Sequence, residues 1–240
     1  IRELLKLVSL LEYKVGQSIS VENIIQNKII IIIEGTARLL STSKDHLETI
    51  AKLEQGSIIG LGSLLRNSPC ERVTASTIVK ALAIPEEFLI NTYKNNKNFE
   101  KTCNCLLHPC EILALSQIIS DKSNRTDLNI RIIFNNIFKN SKLFSSKERI
   151  EKEDLKDNVI FVASANIKEY KIGDTISNNF NLEVVNNFAG RFISIPAKLY
   201  KQIINKSETD SQELKSKETN KNIIYNPPKA QGIIEKSSLD

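Results

Sequence analysis

The sequence contains no methionine and no tryptophan, few glycines and prolines, and no long apolar run. Its longest purely aliphatic stretch is Ile29–Ile33. A membrane-spanning helix needs roughly 18–20 apolar residues, so no such span is expected, and no secretory leader pattern is visible. A chain without methionine does not start at its own initiation codon, so the 240 residues are expected to be part of a longer polypeptide. The four cysteines, Cys70, Cys103, Cys105 and Cys110, are too sparse for a disulfide framework, which makes a reducing cytoplasm the expected compartment. The net charge of +5 is spread among acidic residues with no lysine or arginine stripe, so no nucleic-acid partner is expected. Nucleophile elbow, phosphate-binding Walker loop, zinc-protease helix and Rossmann fingerprint are all absent, and no enzyme activity is expected.

What is present has an ordinary globular balance, 41% hydrophobic and 25% charged. Leu4, Leu5, Val8 and Leu11 recur at helical spacing and predict an N-terminal helix. From Tyr13 to Ile84 the pattern changes to short Ile-, Val- and Leu-rich segments punctuated by turn residues, with five of the eight glycines between positions 16 and 62. That spacing predicts an antiparallel roll, with Ile29–Ile33 buried on both faces. Beyond Pro85 the periodicity becomes helical: an amphipathic segment over 88–107, a helix opened by Pro109, a loop over 121–127 and a helix over 129–138. Residues 141–158 are highly charged and predict an exposed helix or linker, and 158–199 are β-rich again. Within them Glu169–Ser177 nearly duplicates Glu12–Ser20, and Phe192–Pro196 echoes Leu82–Pro85, as an abridged repeat would.

The fold class is therefore α+β: an antiparallel β-roll of the double-stranded β-helix or jelly-roll type, flanked by helices, with a second, smaller β-rich module. Four units are expected: the roll with its flanking helices (1–120), a helical connector (121–157), the β-rich module (158–205) and a flexible linker (206–240).

Segment 13–89 resembles a cyclic-nucleotide-binding domain of the cAMP-receptor type. The resemblance rests on Tyr13-Lys-Val-Gly16, Ile31-Ile-Ile-Glu-Gly35 with Ala37 and Leu39, Leu53-Glu-Gln-Gly56, Ile59-Gly60 with Ser63-Leu-Leu65, Pro69 with Val73-Thr-Ala75, and Leu82 through Phe88. It implies a phosphate-binding cassette at Gly60, Leu61, Gly62, Ser63, Arg66, Cys70, Arg72, Val73 and Thr74, where backbone N–H groups and an arginine hold a cyclic phosphate. Two positions depart from the family pattern. Leu61 stands where a carboxylate would bind the ribose, and Cys70 stands where an arginine would bind the phosphate, with Glu71 beside it as a repelling charge. Arg72 and Arg66 are the candidate replacements. The resemblance thus implies a regulatory or sensory domain with a degenerate site, whose candidate ligand is a cyclic nucleotide or another small nucleotide.

The layout also resembles the N-terminal extension of bacterial peptide- or toxin-secretion ABC exporters, through Leu107-His-Pro-Cys-Glu-Ile-Leu-Ala114, Val162-Ala-Ser-Ala165 and Arg191-Phe-Ile-Ser-Ile-Pro196. This second resemblance implies downstream transmembrane and ATPase domains in the same polypeptide, a location at the cytoplasmic face of the inner membrane, and room for a homodimer. The alternatives are a ligand-free docking domain and the effector domain of a Crp/Fnr-like transcription regulator. Residues 110–200 show no basic recognition helix, which argues against the latter. Cys103, Cys105 and Cys110, taken with His108, lack metal-knuckle spacing, and the three cysteines read as buried thiols, so no metal is expected. His46 reads as a solvated turn residue.

Overall fold

The computed structural model describes residues 7–43, 46–123, 128–147, 156–176, 182–205 and 223–225. Two sheets form the roll. One holds β1 (Ser9–Tyr13), β8 (Val79–Pro85), β3 (Lys28–Glu34) and β6 (Ile58–Ile59) in that order. The other holds β5 (His46–Leu53), β4 (Ala37–Ser43), β7 (Val73–Ala75) and β2 (Ser18–Ser20), with β13 (Ile223–Tyr225) added in parallel to the edge of β5. All pairings within the roll proper are antiparallel. A single-turn helix, α1 (Leu61–Leu65), lies between β6 and β7.

The five consecutive isoleucines of β3 serve two cores. Ile30 and Ile32 enter the main core with Leu39, Ile50 and Val79, while Ile29 faces a second cluster with Leu61, Leu64, Leu65, Ile84 and Tyr93. β-Branched side chains suit such a two-sided strand, since their stiff rotamers cost little on a pleated surface. Only Ile33 emerges, at the end of the run.

The helices follow: α2 (Glu86–Asn95), α3 (Lys97–Cys105), α4 (Pro109–Lys122) and α5 (Ile130–Asn140). The amphipathic stretch over 88–107 is two helices because Asn96 Oδ1 accepts the Phe99 N–H at 3.0 Å and caps the second. Pro109 occupies the first turn of α4, as its spacing predicted. A third sheet contains β11 (Thr175–Ile176), β10 (Asn158–Val162), β12 (Arg191–Pro196) and β9 (Lys142–Ser145), and α6 (Ala197–Ile204) directly follows β12. Phe161, Ile193, Ile195, Leu199 and Ile203 belong to the same core as the roll and α4, so the small module is packed onto the roll.

Three expectations are corrected. The N-terminal helix is shorter than expected: Leu7 is helical, but from Ser9 the chain is a strand, because the exposed backbone edge of β8 takes β1 as its partner over Ser9–Tyr13; Leu4 and Leu5 lie outside the described residues. The charged stretch after 141 begins as strand β9, paired with β12. Within the expected linker, 223–225 form a strand; the remainder of 206–240 lies outside the described residues.

The two similar sequence stretches have matching local geometry. In one, Gln17 N–H donates to Lys14 O at 3.0 Å while Lys14 N–H donates to Gln17 Oε1 at 3.0 Å. In the other, Asp174 N–H donates to Lys171 O at 3.0 Å and Lys171 N–H to Asp174 Oδ2 at 2.7 Å. Both turns hold their glycine at positive φ, 80° at Gly16 and 90° at Gly173. Likewise β8 and β12 both end in a proline, Pro85 and Pro196, that directly caps a helix.

Candidate functional site

The cassette is built by a turn that only glycine can make comfortably. Gly60 sits at φ 93°, immediately before α1, and a Cβ there would lie 3.0 Å from the Lys28 carbonyl oxygen. Two residues on, Gly62 lets α1 press against the start of α4: a Cβ at that position would lie 2.5 Å from Cys110 Sγ. α1 is buried along its whole length.

The backbone donor at the head of the cassette is already taken. Gly60 N–H donates to Glu71 Oε1 at 2.8 Å, and Ser63 Oγ donates to the same oxygen at 3.1 Å. Glu71 is itself 7% exposed. An internal carboxyl group thus sits at the head of the short helix, holding one backbone donor and one hydroxyl of the cassette the resemblance implied. Burial, and then the neighbouring charge of Cys70, push Glu71 up to about 8 against the opposing hydrogen bonds of Ser63 and Gly60.

Cys70 N–H donates to Ser63 Oγ at 3.1 Å, and its Sγ lies 3.4 Å from the same hydroxyl. Burial alone would raise this thiol. The Cys110 thiol, the Arg66 charge and Ser63 together overcome that penalty and bring it down to about 7. Cys110 moves the other way, its thiol raised by Cys70 and by burial.

Among the two candidate arginines, Arg66 does not reach a ligand position. It is 2% exposed, its Nε donates to the Ala163 carbonyl at 2.9 Å, and its own carbonyl accepts the Ala165 N–H at 2.8 Å. Asn166 Nδ2 adds bonds to the carbonyls of Leu65 at 2.8 Å and Ala189 at 3.0 Å. The C-terminal end of α1 is therefore covered by the 163–166 turn of the small module. Arg72 remains near the opening, donating from Nη1 to Thr42 Oγ1 at 3.2 Å and lying 3.7 Å from Glu22 Oε2.

Cys70, Glu71 and Arg72 line a cavity of about 120 Å³ together with Glu22, Asn23 and Gln117. Small-molecule sites commonly enclose about 300–1,000 Å³, so this cavity has room for a few waters or a small ion and not for a nucleotide. Leu61 points into the second apolar cluster, Val73 is fully buried in the roll, and Thr74 pairs with Arg38 and Ser18 in the sheet. None of these three lines the cavity.

Behind the cassette lies a buried ion pair that sequence reading passed over. Arg191 donates from Nε to Glu111 Oε1 at 2.6 Å and from Nη2 to Oε2 at 2.7 Å. Two further donors, on Nη1 and Nη2, go to the carbonyls of Cys103 at 3.0 Å and Leu106 at 2.7 Å. Burial penalises both charges, yet each partner's charge outweighs it: Glu111 is held below the usual carboxylate range and Arg191 above the usual guanidinium range. The signal was an arginine opening an otherwise apolar strand, Arg191-Phe-Ile-Ser-Ile. His108, at the head of α4, is buried with Nε2 unpartnered, and burial depresses it to about 4. Among the described residues no cluster of three or more metal-ligating side chains occurs, and no helix is long and apolar enough to cross a membrane.

Residues 10–96 match the family model of the cyclic nucleotide-binding domain. The chain is similar in structure to the catabolite activator protein of Thermus thermophilus, at 17% identity and TM-score 0.40, covering 50% of this chain and 63% of that one. It is similar also to a transcriptional regulator of Thermotoga maritima, at 19% identity and TM-score 0.38, covering 42% and 81% of the two chains. A cyclic nucleotide-binding domain from Methylobacillus flagellatus gives 19% identity and TM-score 0.37, covering 41% and 56%. Comparison with curated protein sequences finds no match.

Proposed function

We propose that this chain is a non-catalytic, cytoplasmic regulatory domain in which a cyclic-nucleotide-type roll holds an internal carboxyl group in place of a ligand. It works as a docking relay for further domains of a longer polypeptide of the secretion-exporter type. The observation that carries the first part is Glu71 on the Gly60 N–H and the Ser63 hydroxyl, in a cavity too small for a nucleotide. Support for the second comes from where the exporter-like stretches fall. Leu107–Ala114, Val162–Ala165 and Arg191–Pro196 contain Glu111, Ala163, Ala165 and Arg191, the residues that fasten the small module over the roll. A motion of the module would therefore be felt at α1 and α4 together.

A second reading, a nucleotide sensor rebuilt around Arg72, is favoured by that residue's place in the cavity wall and its part-exposed side chain. Thermal unfolding of the 240-residue protein with cAMP, cGMP, cyclic dinucleotides or ATP separates the two. A ligand present at a hundredfold over its dissociation constant stabilises by about 2.7 kcal/mol. The docking relay predicts no shift with any of them. A shift of several degrees with one nucleotide, lost in Arg72→Ala, would establish the sensor instead.

A further inference from the structure

We infer that Cys70 and Cys110 form an oxidisable dithiol site, in which Cys70 is the peroxide-reactive thiol and Cys110 the thiol that resolves it into a disulfide. This goes beyond the docking role and does not depend on it. The two thiols come from different parts of the fold, one from the loop before β7 and the other from the first turn of α4. The glycine at 62 leaves the space in which Cys110 Sγ rests against α1. Both cysteines are free, and the two thiols are close enough to perturb each other's ionisation.

Three further observations separate this pair from ordinary buried thiols. Cys70 is part-exposed and lines the cavity, so a small oxidant has access to it, whereas Cys110 is 5% exposed behind it. Ser63 Oγ lies 3.4 Å from Cys70 Sγ, near enough for its single proton to turn from Glu71 to a thiolate. Arg66, close enough to favour the Cys70 thiolate through its charge, is buried with Nη1 making no hydrogen bond. A buried guanidinium nitrogen without an acceptor is costly, and a thiolate beside it supplies the missing charge. Cys103 has no such setting: burial raises it to about 11.

With hydrogen peroxide as oxidant the steps balance. The Cys70 thiolate attacks one peroxide oxygen, an S–O bond forms as the O–O bond breaks, and hydroxide leaves. The Cys110 sulfur then attacks the sulfenic sulfur of Cys70. An S–S bond forms, the S–O bond breaks, and the second oxygen leaves as water, the Cys110 proton being consumed. Two electrons pass from the thiol pair to the peroxide, and an exogenous thiol reverses the bond by exchange.

The test uses the intact protein and equimolar hydrogen peroxide. The expected result is loss of half of the four titratable thiols and a tryptic product joining peptide 67–72 to peptide 102–122, with the bond assigned by fragmentation to Cys110. Cys110→Ser is expected to halt at a sulfenic acid on Cys70, trapped by dimedone. Should that variant fail to fold, the wild-type protein alone decides: alkylation of Cys70 by iodoacetamide is expected to reach half its maximal rate about 1.5–2 pH units lower in the folded chain than in urea. Retention of all four thiols, a disulfide through Cys103 or Cys105, or identical alkylation profiles folded and unfolded would each overturn the assignment.

Discussion

Glu111 and Arg191 meet through two charge-assisted hydrogen bonds of 2.6 and 2.7 Å, bridging 80 residues of chain and joining the helix behind the cassette to the first residue of β12. Both side chains are at most 2% exposed. Neither partner can be removed without stranding the other in a medium that cannot solvate it.

Arg191→Met is accordingly expected to destabilise the protein by about 3–5 kcal/mol, while Arg191→Met combined with Glu111→Leu recovers most of that loss. For a chain of this size the single variant should melt roughly 8–15 °C lower. Arg191→Lys should not rescue, since an ammonium cannot serve two carboxylate oxygens and two carbonyls at once. Differential scanning calorimetry of the three variants checks the cycle.

Glu71 gives the stability a pH dependence of unusual sign for a carboxylate. Its folded value of about 8 lies above the ordinary 4.5, so the folded chain binds its proton more tightly than the unfolded chain does. The stability contributed this way is complete below about 4.5 and is lost as pH rises through about 8. Glu71→Gln keeps an acceptor for Gly60 and Ser63 without the charge. It should match the wild type near pH 5 and exceed it by a few kcal/mol at pH 8. Comparing the two proteins cancels the opposite contribution of His108, whose depressed value costs stability as pH falls. Urea unfolding at pH 5, 6, 7 and 8 reads the gap directly.

Restoring the family's ribose-binding carboxylate should fail. Leu61 is 6% exposed and packs in the cluster with Ile29, Leu64, Leu65 and Leu89, away from the cavity. Leu61→Glu is expected to lose at least ~3 kcal/mol and to gain no affinity for cAMP by calorimetric titration.

Gly62→Ala tests the close approach of α1 to α4. The added methyl would sit 2.5 Å from Cys110 Sγ and 3.0 Å from His108 Cβ, and the cost should be about 1–3 kcal/mol. The double variant Gly62→Ala with Cys110→Ala should relieve part of it, and chemical denaturation of both measures how much.

The roll was legible because glycine, proline and aliphatic spacing are local signals, and Ile29–Ile33 announced a strand buried on both sides. Ser9–Leu11 was misread for a physical reason: helical spacing in a short segment is a weak preference, and the open edge of β8 outweighs it. In the cassette, the losses at Leu61 and Cys70 could be seen in the sequence. The destination of the Glu71 carboxyl group could not, because it depends on a loop folding back on Gly60. Arg66 was a fair ligand candidate by position, yet its partner is a carbonyl 97 residues later, which no local pattern encodes.

That last separation also has a meaning in time. During synthesis α1 is complete long before the turn that receives Arg66 exists, since Ala163 follows it by 97 residues. At roughly 5–20 residues per second the interval is on the order of 5–20 seconds. Throughout it, the guanidinium of Arg66 and the carbonyl of Leu65 face water, and Cys70 stands beside a helix with no cover at its far end. The roll is born open and is sealed only when the small module arrives, so a nascent chain halted before residue 163 would expose the cassette that the finished protein keeps shut.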